Sequence, residues 1–193
     1  MSPRPSQRDS KVDLIVSSTT TLIMENGLEA VSMTAIADRS GLSRPAVYQY
    51  FPSTQHVLAE VLVNELADFS NELDAHLMAF DDALERVRIW LHFSLTYMSS
   101  ERHRIIRQVS TEGFPDETRG LLRAMHGHVM TSLISPLTTL GVADATSVAH
   151  LLYASVAKAA ERIDAGAEFI FEARALEHFA IAGVKANLGS ANG

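Results

Sequence analysis

The strongest constraint on how this chain can fold lies between Ser32 and Phe51, SMTAIADRSGLSRPAVYQYF, where two helix-starting residues flank one helix-stopping residue. Ser32 can accept a hydrogen bond from an N–H group left unpaired at the opening of a helix, and Met33, Ile36 and Ala37 follow as one apolar face. Gly41 ends that helix at about Ser40, because only a residue without a Cβ enters the left-handed conformation at no steric cost, and Leu42 can then pack back into the core. Ser43 is a second cap, and Pro45 stands in the first turn, where its missing N–H breaks no bond. The second helix turns Val47 and Phe51 inward and leaves Arg44, Ala46, Gln49 and Tyr50 on its other faces. Two short helices joined by so tight a turn form a helix-turn-helix.

The side chains on the free faces suit a major groove. Arg44 presents a planar fork to guanine O6 and N7, Gln49 can pair with adenine N6 and N7, and the Ala46 methyl suits thymine. Ser43, Tyr48, Tyr50 and the helix N-termini are fitted to phosphate oxygens. The same pattern is also a packing motif, in which Tyr48 or Tyr50 covers the core.

Glu25-Asn26-Gly27, Val31-Ser32-Met33-Thr34, Ile36-Ala37, Ser40-Gly41-Leu42-Ser43 and Ala46-Val47-Tyr48-x-Tyr50-Phe51, continuing to Leu58, together resemble the TetR (tetracycline-repressor-like) family of bacterial transcriptional regulators. The resemblance implies phosphate or groove contacts at Thr34, Ser43, Arg44, Tyr48 and Tyr50, with Pro45 in the same reading helix and Ala46 and Gln49 near base edges. Most relatives resemble F-x-S-K at the start of the fourth helix. This chain has Phe51-Pro52-Ser53-Thr54, so Thr54 offers a hydroxyl in place of a positive charge.

The chain has 193 residues, 47% of them hydrophobic, which is enough for one large or two modest cores. It has no cysteine, which excludes disulfides and thiolate metal sites, and no apolar run near the roughly 20 residues that span a membrane. No signal-peptide pattern is read before Arg4, so a cytoplasmic protein is expected. The net charge of −7 is unevenly placed. Residues 1 to 58 hold five Lys/Arg and five Asp/Glu; the eleven basic and eighteen acidic residues that follow carry the whole imbalance. The comparatively basic end is the DNA end. Affinity should depend on specific contacts and a dimer more than on counterion release.

Periodicity gives an all-α chain of about nine helices, with breaks at Gly27, Gly41, Pro52, Gly113 to Pro115, Gly141 and Ala165 to Gly166. Three parts are expected: a mobile basic arm at 1–10, a three-helix helix-turn-helix DNA-binding domain at 11–52, and a helical ligand-binding and dimerisation domain at 53–193. The fourth helix carries Leu58, Leu62, Leu66, Phe69, Leu73, Leu77 and Phe80 as one long stripe, which would couple its two ends.

On the helix near Asp82 to Ser99, Trp90, Phe93 and Tyr97 make a second apolar face beside Leu84, Val87, Leu91, Leu95 and Met98. Aromatic rings with polar tips suit a cavity for a small apolar or aromatic molecule, with Phe114, Met125, His128 and Met130 as further walls; each alone is equally an ordinary core residue. The last two helices place Val148, Leu152, Ser155, Val156, Ala159 and Ile163, then Phe169, Ala173, Leu176 and Ala180, at helical spacing. They either close the monomer core or, as the resemblance implies, meet a second copy. A dimer would let two reading helices, spaced by a multiple of about 34 Å, hold a palindromic operator. His126 and His128, two apart on a helix, point away from each other, and no metal or cofactor set is expected. The reading is a homodimeric regulator, a repressor switched by a small-molecule effector. The other classes are an enzyme with a vestigial reading domain, drawing on Glu101, His103 or Glu112, and an effector-free protein that recruits a partner on DNA.

Overall fold

A computed structural model describes residues 7–188, and the chain there is helical apart from one isolated antiparallel bridge between Val142 and Leu188. In order the elements are α1 (Gln7–Asn26), a 3-10 turn (Leu28–Ala30), α2 (Met33–Ser40), α3 (Arg44–Tyr48), α4 (Thr54–Met78), α5 (Ala83–Met98), α6 (Glu101–Ile106), α7 (Asp116–Thr131), α8 (Ile134–Thr139), α9 (Ala145–Asp164) and α10 (Phe169–Ala186). The all-α class is as expected. The element added to the nine is α8, and Pro136 explains it. A proline there has no N–H for the Ser132 carbonyl, so α7 cannot run on unbroken and the chain restarts with Pro136 and Leu137 buried.

The arm expected at 1–10 is corrected in part. Residues 1–6 lie outside the described residues, but 7–10 are already the first turns of α1, since no glycine or proline follows Pro5 to hold them off.

Two compact units divide the chain. The first runs to Leu66 and takes in Arg104–Leu122; the second is Ala67–His103 with the chain from Arg123 onward. The boundary expected at 52/53 is a break between helices, whereas the units divide inside α4. Packing explains this: Val57 and Val61, both fully buried, join Ile15, Ile23, Ile36, Val47 and Phe51 in the first core, so the opening turns of α4 belong there. Ile106 completes that core, with Ile105 against it. The α4 stripe also starts in a different register from the expected one. Val57 and Val61 face inward while Leu58 and Leu62 are half-buried, and Leu66, Phe69, Leu73 and Leu77 then follow as expected. Phe80 lies past the helix end and is exposed.

In the second unit α5 packs against α8, α9 and α10, and α9 against α8 and α10. Trp90 is fully buried, and its Nε1–H donates to the Val129 carbonyl and to Ser132 Oγ, both at 3.0 Å, tying α5 to the end of α7. Beside it runs a column of rings. Phe69 stacks on Tyr97 at 4.0 Å and on Phe93 at 5.6 Å between centroids, with His76 against Phe93 and His103 against Tyr97, each at 4.7 Å. Burial pushes the phenol of Tyr153, which faces Trp90 at 6.5 Å, above its ordinary pKa.

Candidate nucleic-acid interface

The reading head is built by its caps. Ser32 Oγ accepts the Ala35 N–H at 3.1 Å and opens α2, while Gly41, at φ 66°, closes it so that Leu42 N–H reaches the Ala37 carbonyl at 3.0 Å. Ser43 Oγ then accepts the Ala46 N–H at 3.3 Å and opens α3, with Pro45 in its first turn. Met33, Ile36 and Ala37 on α2 and Val47 on α3 are buried, and α2 packs on both α1 and α3. A third tie is the ion pair of Arg39 with Glu25 at 2.7 Å, which joins α2 to α1; the Glu25 hydrogen bond holds the Arg39 guanidinium above its ordinary pKa. Arg39 is therefore engaged within the protein.

With the inner face secured, α3 presents the residues named from sequence. Arg44, Pro45, Tyr48 and Gln49 are exposed, as are Ser43 and Thr34, and Ala46 is half-buried. Arg44 Nη2 donates to the Tyr48 hydroxyl at 3.3 Å and the guanidinium lies 5.5 Å from that ring's centroid, so the two side chains preorganise each other. Tyr50, two residues past the end of α3 at Tyr48, is half-buried and packs against the first core. Thr54 is half-buried as the first residue of α4, after Ser53. Sequence reasoning passed over its neighbour His56, whose Nδ1 lies 2.8 Å from Ser53 Oγ; the spacing of three was the available sign.

The residues expected to line a ligand cavity fall in both units. Phe114 is buried in the first unit, while the other six belong to the second. Trp90 is a satisfied core residue, Phe93 and Tyr97 stand in the ring column, Met125 and Met130 are half-buried, and His128 is exposed, its Nε2 3.0 Å from the Asp74 carboxylate. Ser94, on the same helix as Trp90, is 2% exposed and its Oγ has no hydrogen-bond partner among the described residues.

Of the residues expected at the dimer surface, six lie inside the chain. Val148, Leu152, Val156, Ala159, Leu176 and Ala180 are buried within the chain itself, and Ser155, Ile163, Phe169 and Ala173 are half-buried. They form the inner faces of α9 and α10, against α5 and α8. The outer face of α10 carries Phe171 at 63% and Phe179 at 68% exposure, with the exposed Ala175 and Ala182 at the same spacing, and α9 adds Leu151 at 67%. Both faces of these helices are apolar, so periodicity alone could not separate inside from outside.

Residues 15–61 match the domain described as bacterial regulatory proteins, tetR family. Among curated proteins, an uncharacterized HTH-type transcriptional regulator of Mycobacterium tuberculosis is 35% identical over 51 residues, 26% of this chain and 27% of the relative. The HTH-type transcriptional repressor KstR of the same organism is 32% identical over 73 residues, 38% of this chain and 33% of KstR. The chain thus matches only about a quarter to a third of the length of these relatives. The solved structure of the transcriptional regulator FadR from Bacillus subtilis, in complex with stearoyl-CoA, shares the fold at a TM-score of 0.69 and 14% identity, over 89% of this chain and 98% of that one. Matched in sequence and built from the capped helices above, residues 15–61 form a reading domain of the kind described for bacterial regulatory proteins of the tetR family.

Proposed function

We propose that the chain is a sequence-specific transcriptional repressor that holds a palindromic operator as a homodimer and is switched by a small molecule bound in its second unit. The observation that carries this reading is α3: a short helix locked from behind by Val47 and Phe51, with Arg44, Tyr48 and Gln49 aimed outward from a capped start. Arg44 and Gln49 read base edges, and Ser43, Thr34 and Tyr48 hold phosphates, the division of labour that separates specificity from register. Thr54 bonds the backbone without adding charge. The dimer forms through Leu151, Phe171 and Phe179, the large apolar side chains that α9 and α10 leave exposed. Such a protein works in the cytoplasm, where its operator is.

A repressor relative, KstR, and a fold neighbour solved with stearoyl-CoA support the regulator reading and a ligand of apolar character. Ser94 supports an enclosed ligand site near α5, since a buried hydroxyl without a partner is the group a bound molecule would satisfy. Helices α4, α6 and α7 each have residues in both units, which supports a switch carried along them. The effector acts by binding the DNA-competent and incompetent arrangements with different affinity.

Selection of binding sites from random duplex DNA, with the mass of the complex measured, tests the proposal. A palindromic site holding an even number of chains is the expected result. Failure to enrich any sequence would remove the regulator reading and favour the enzyme or partner-recruiting class.

A further inference from the structure

The open groove between α5 and α10 combines an apolar floor with an unneutralised positive charge, and we infer that it binds a small amphipathic anion, a monocarboxylate with an apolar body. The groove has a volume of about 340 Å³. Its floor is Leu91, Leu95 and Leu176, all nearly fully buried, and the half-buried Phe169 forms a wall with its ring edge-on to His92 at 6.0 Å. Apolar surface of this kind gains by covering the body of a molecule. The space suits about a dozen non-hydrogen atoms, at the small end of ligand sites.

Charge selects which molecule. Arg88 lines the groove but is already paired with Glu177 and lies 3.7 Å from Glu85. Arg174 also lines it and has no ion-pair partner among the described residues. Glu177 and Glu85 thus balance Arg88, which leaves Arg174 as the lining cation without an ion-pair partner among the described residues. A carboxylate at the mouth would pair with the planar fork of Arg174, while a cation would be repelled. On α10, Phe169, Ala173 and Glu177 recur every four residues on the groove side, while Arg174 and His178 form its border with the Phe171–Phe179 stripe.

Titration calorimetry of the full chain with octanoate and with 1-octanol tests the site without any DNA, so its outcome is separate from that of operator selection. Octanoate should bind saturably, one per chain, and more tightly than octanol. Arg174→Gln, a surface change, should weaken octanoate about tenfold, the worth of one charge-assisted bond, and leave octanol unaffected. Ala173→Trp should fill the groove and abolish both; should that variant fail to fold, the Arg174 comparison decides alone. Absence of saturable binding at millimolar concentration, equal affinity for the two probes, or an unchanged octanoate affinity in Arg174→Gln would each overturn the assignment.

Discussion

The α2–α3 pair and the α9–α10 pair are both two helices joined by a short turn, yet they expose their chemistry in opposite ways. Each helix of the first pair begins on a serine cap and hides one apolar face, so what remains outside is polar, specific and nameable. The second pair is apolar on two faces: Leu152, Val156, Leu176 and Ala180 inside, Leu151, Phe171 and Phe179 outside. A helix with one apolar face has a single way to lie on a core; a helix with two needs its neighbours to decide.

The largest expected effect tests the inner side of this contrast. Trp90→Ala should cost about 3–5 kcal/mol in the denaturant-measured stability of the second unit, because it leaves a cavity and removes the indole donor shared by the Val129 carbonyl and Ser132 Oγ. A cost below about 1 kcal/mol would mean that Trp90 lines an adaptable cavity after all.

The second test sets the two faces of the last helices against each other. Leu152→Ala should cost about 2–5 kcal/mol of folding stability, whereas Phe179→Glu should leave the monomer's stability within about 0.5 kcal/mol and shift sedimentation toward single chains. If Leu152→Ala instead gave a stable monomer, the faces would be assigned the wrong way round.

On the reading head, Arg44→Ala should weaken operator binding by about 1–3 kcal/mol and relax preference at one base pair. Uniform weakening on every sequence would make Arg44 a phosphate contact. Ser32→Ala should cost about 0.5–2 kcal/mol of stability through the lost cap on α2, without altering which sequence is preferred. Binding to immobilised operator variants separates the two.

The smallest effect concerns α9. Asp144 accepts the Ser147 N–H at 2.9 Å as the N-cap of α9, and the Ser147 side chain first, with that backbone bond second, holds the carboxyl below its ordinary pKa of 3.8. The folded state therefore favours the ionised form. The cap contributes fully above the ordinary value and is lost as pH falls through the lowered one, so thermal stability should decline on acidification in that window. Asp144→Ala should flatten part of that decline, by a small amount because the group is fully exposed. An unchanged acid profile would remove the cap from the account.

The caps at Ser32 and Ser43, the glycine turn and the inward Val47 were legible because each depends on atoms within four residues, and such local bonds form wherever that sequence folds. The register of α4 was not, because Val57 and Leu58 are both apolar and only the first core chooses between them. Tyr50 was ambiguous for the same reason, since a half-buried ring both packs on the core and keeps an exposed side.

The sequence by itself determined the all-α class, the helix-turn-helix and the side chains it presents, since helix periodicity, capping and the steric freedom of Gly41 act at short range. Only the tertiary structure decided that α4 is divided between two units, that Ile105 and Ile106 join the reading domain's core, and which faces of α9 and α10 are buried. Those outcomes turn on which apolar surfaces find each other across long stretches of chain. The hydrophobic effect rewards that burial without regard to order in the sequence.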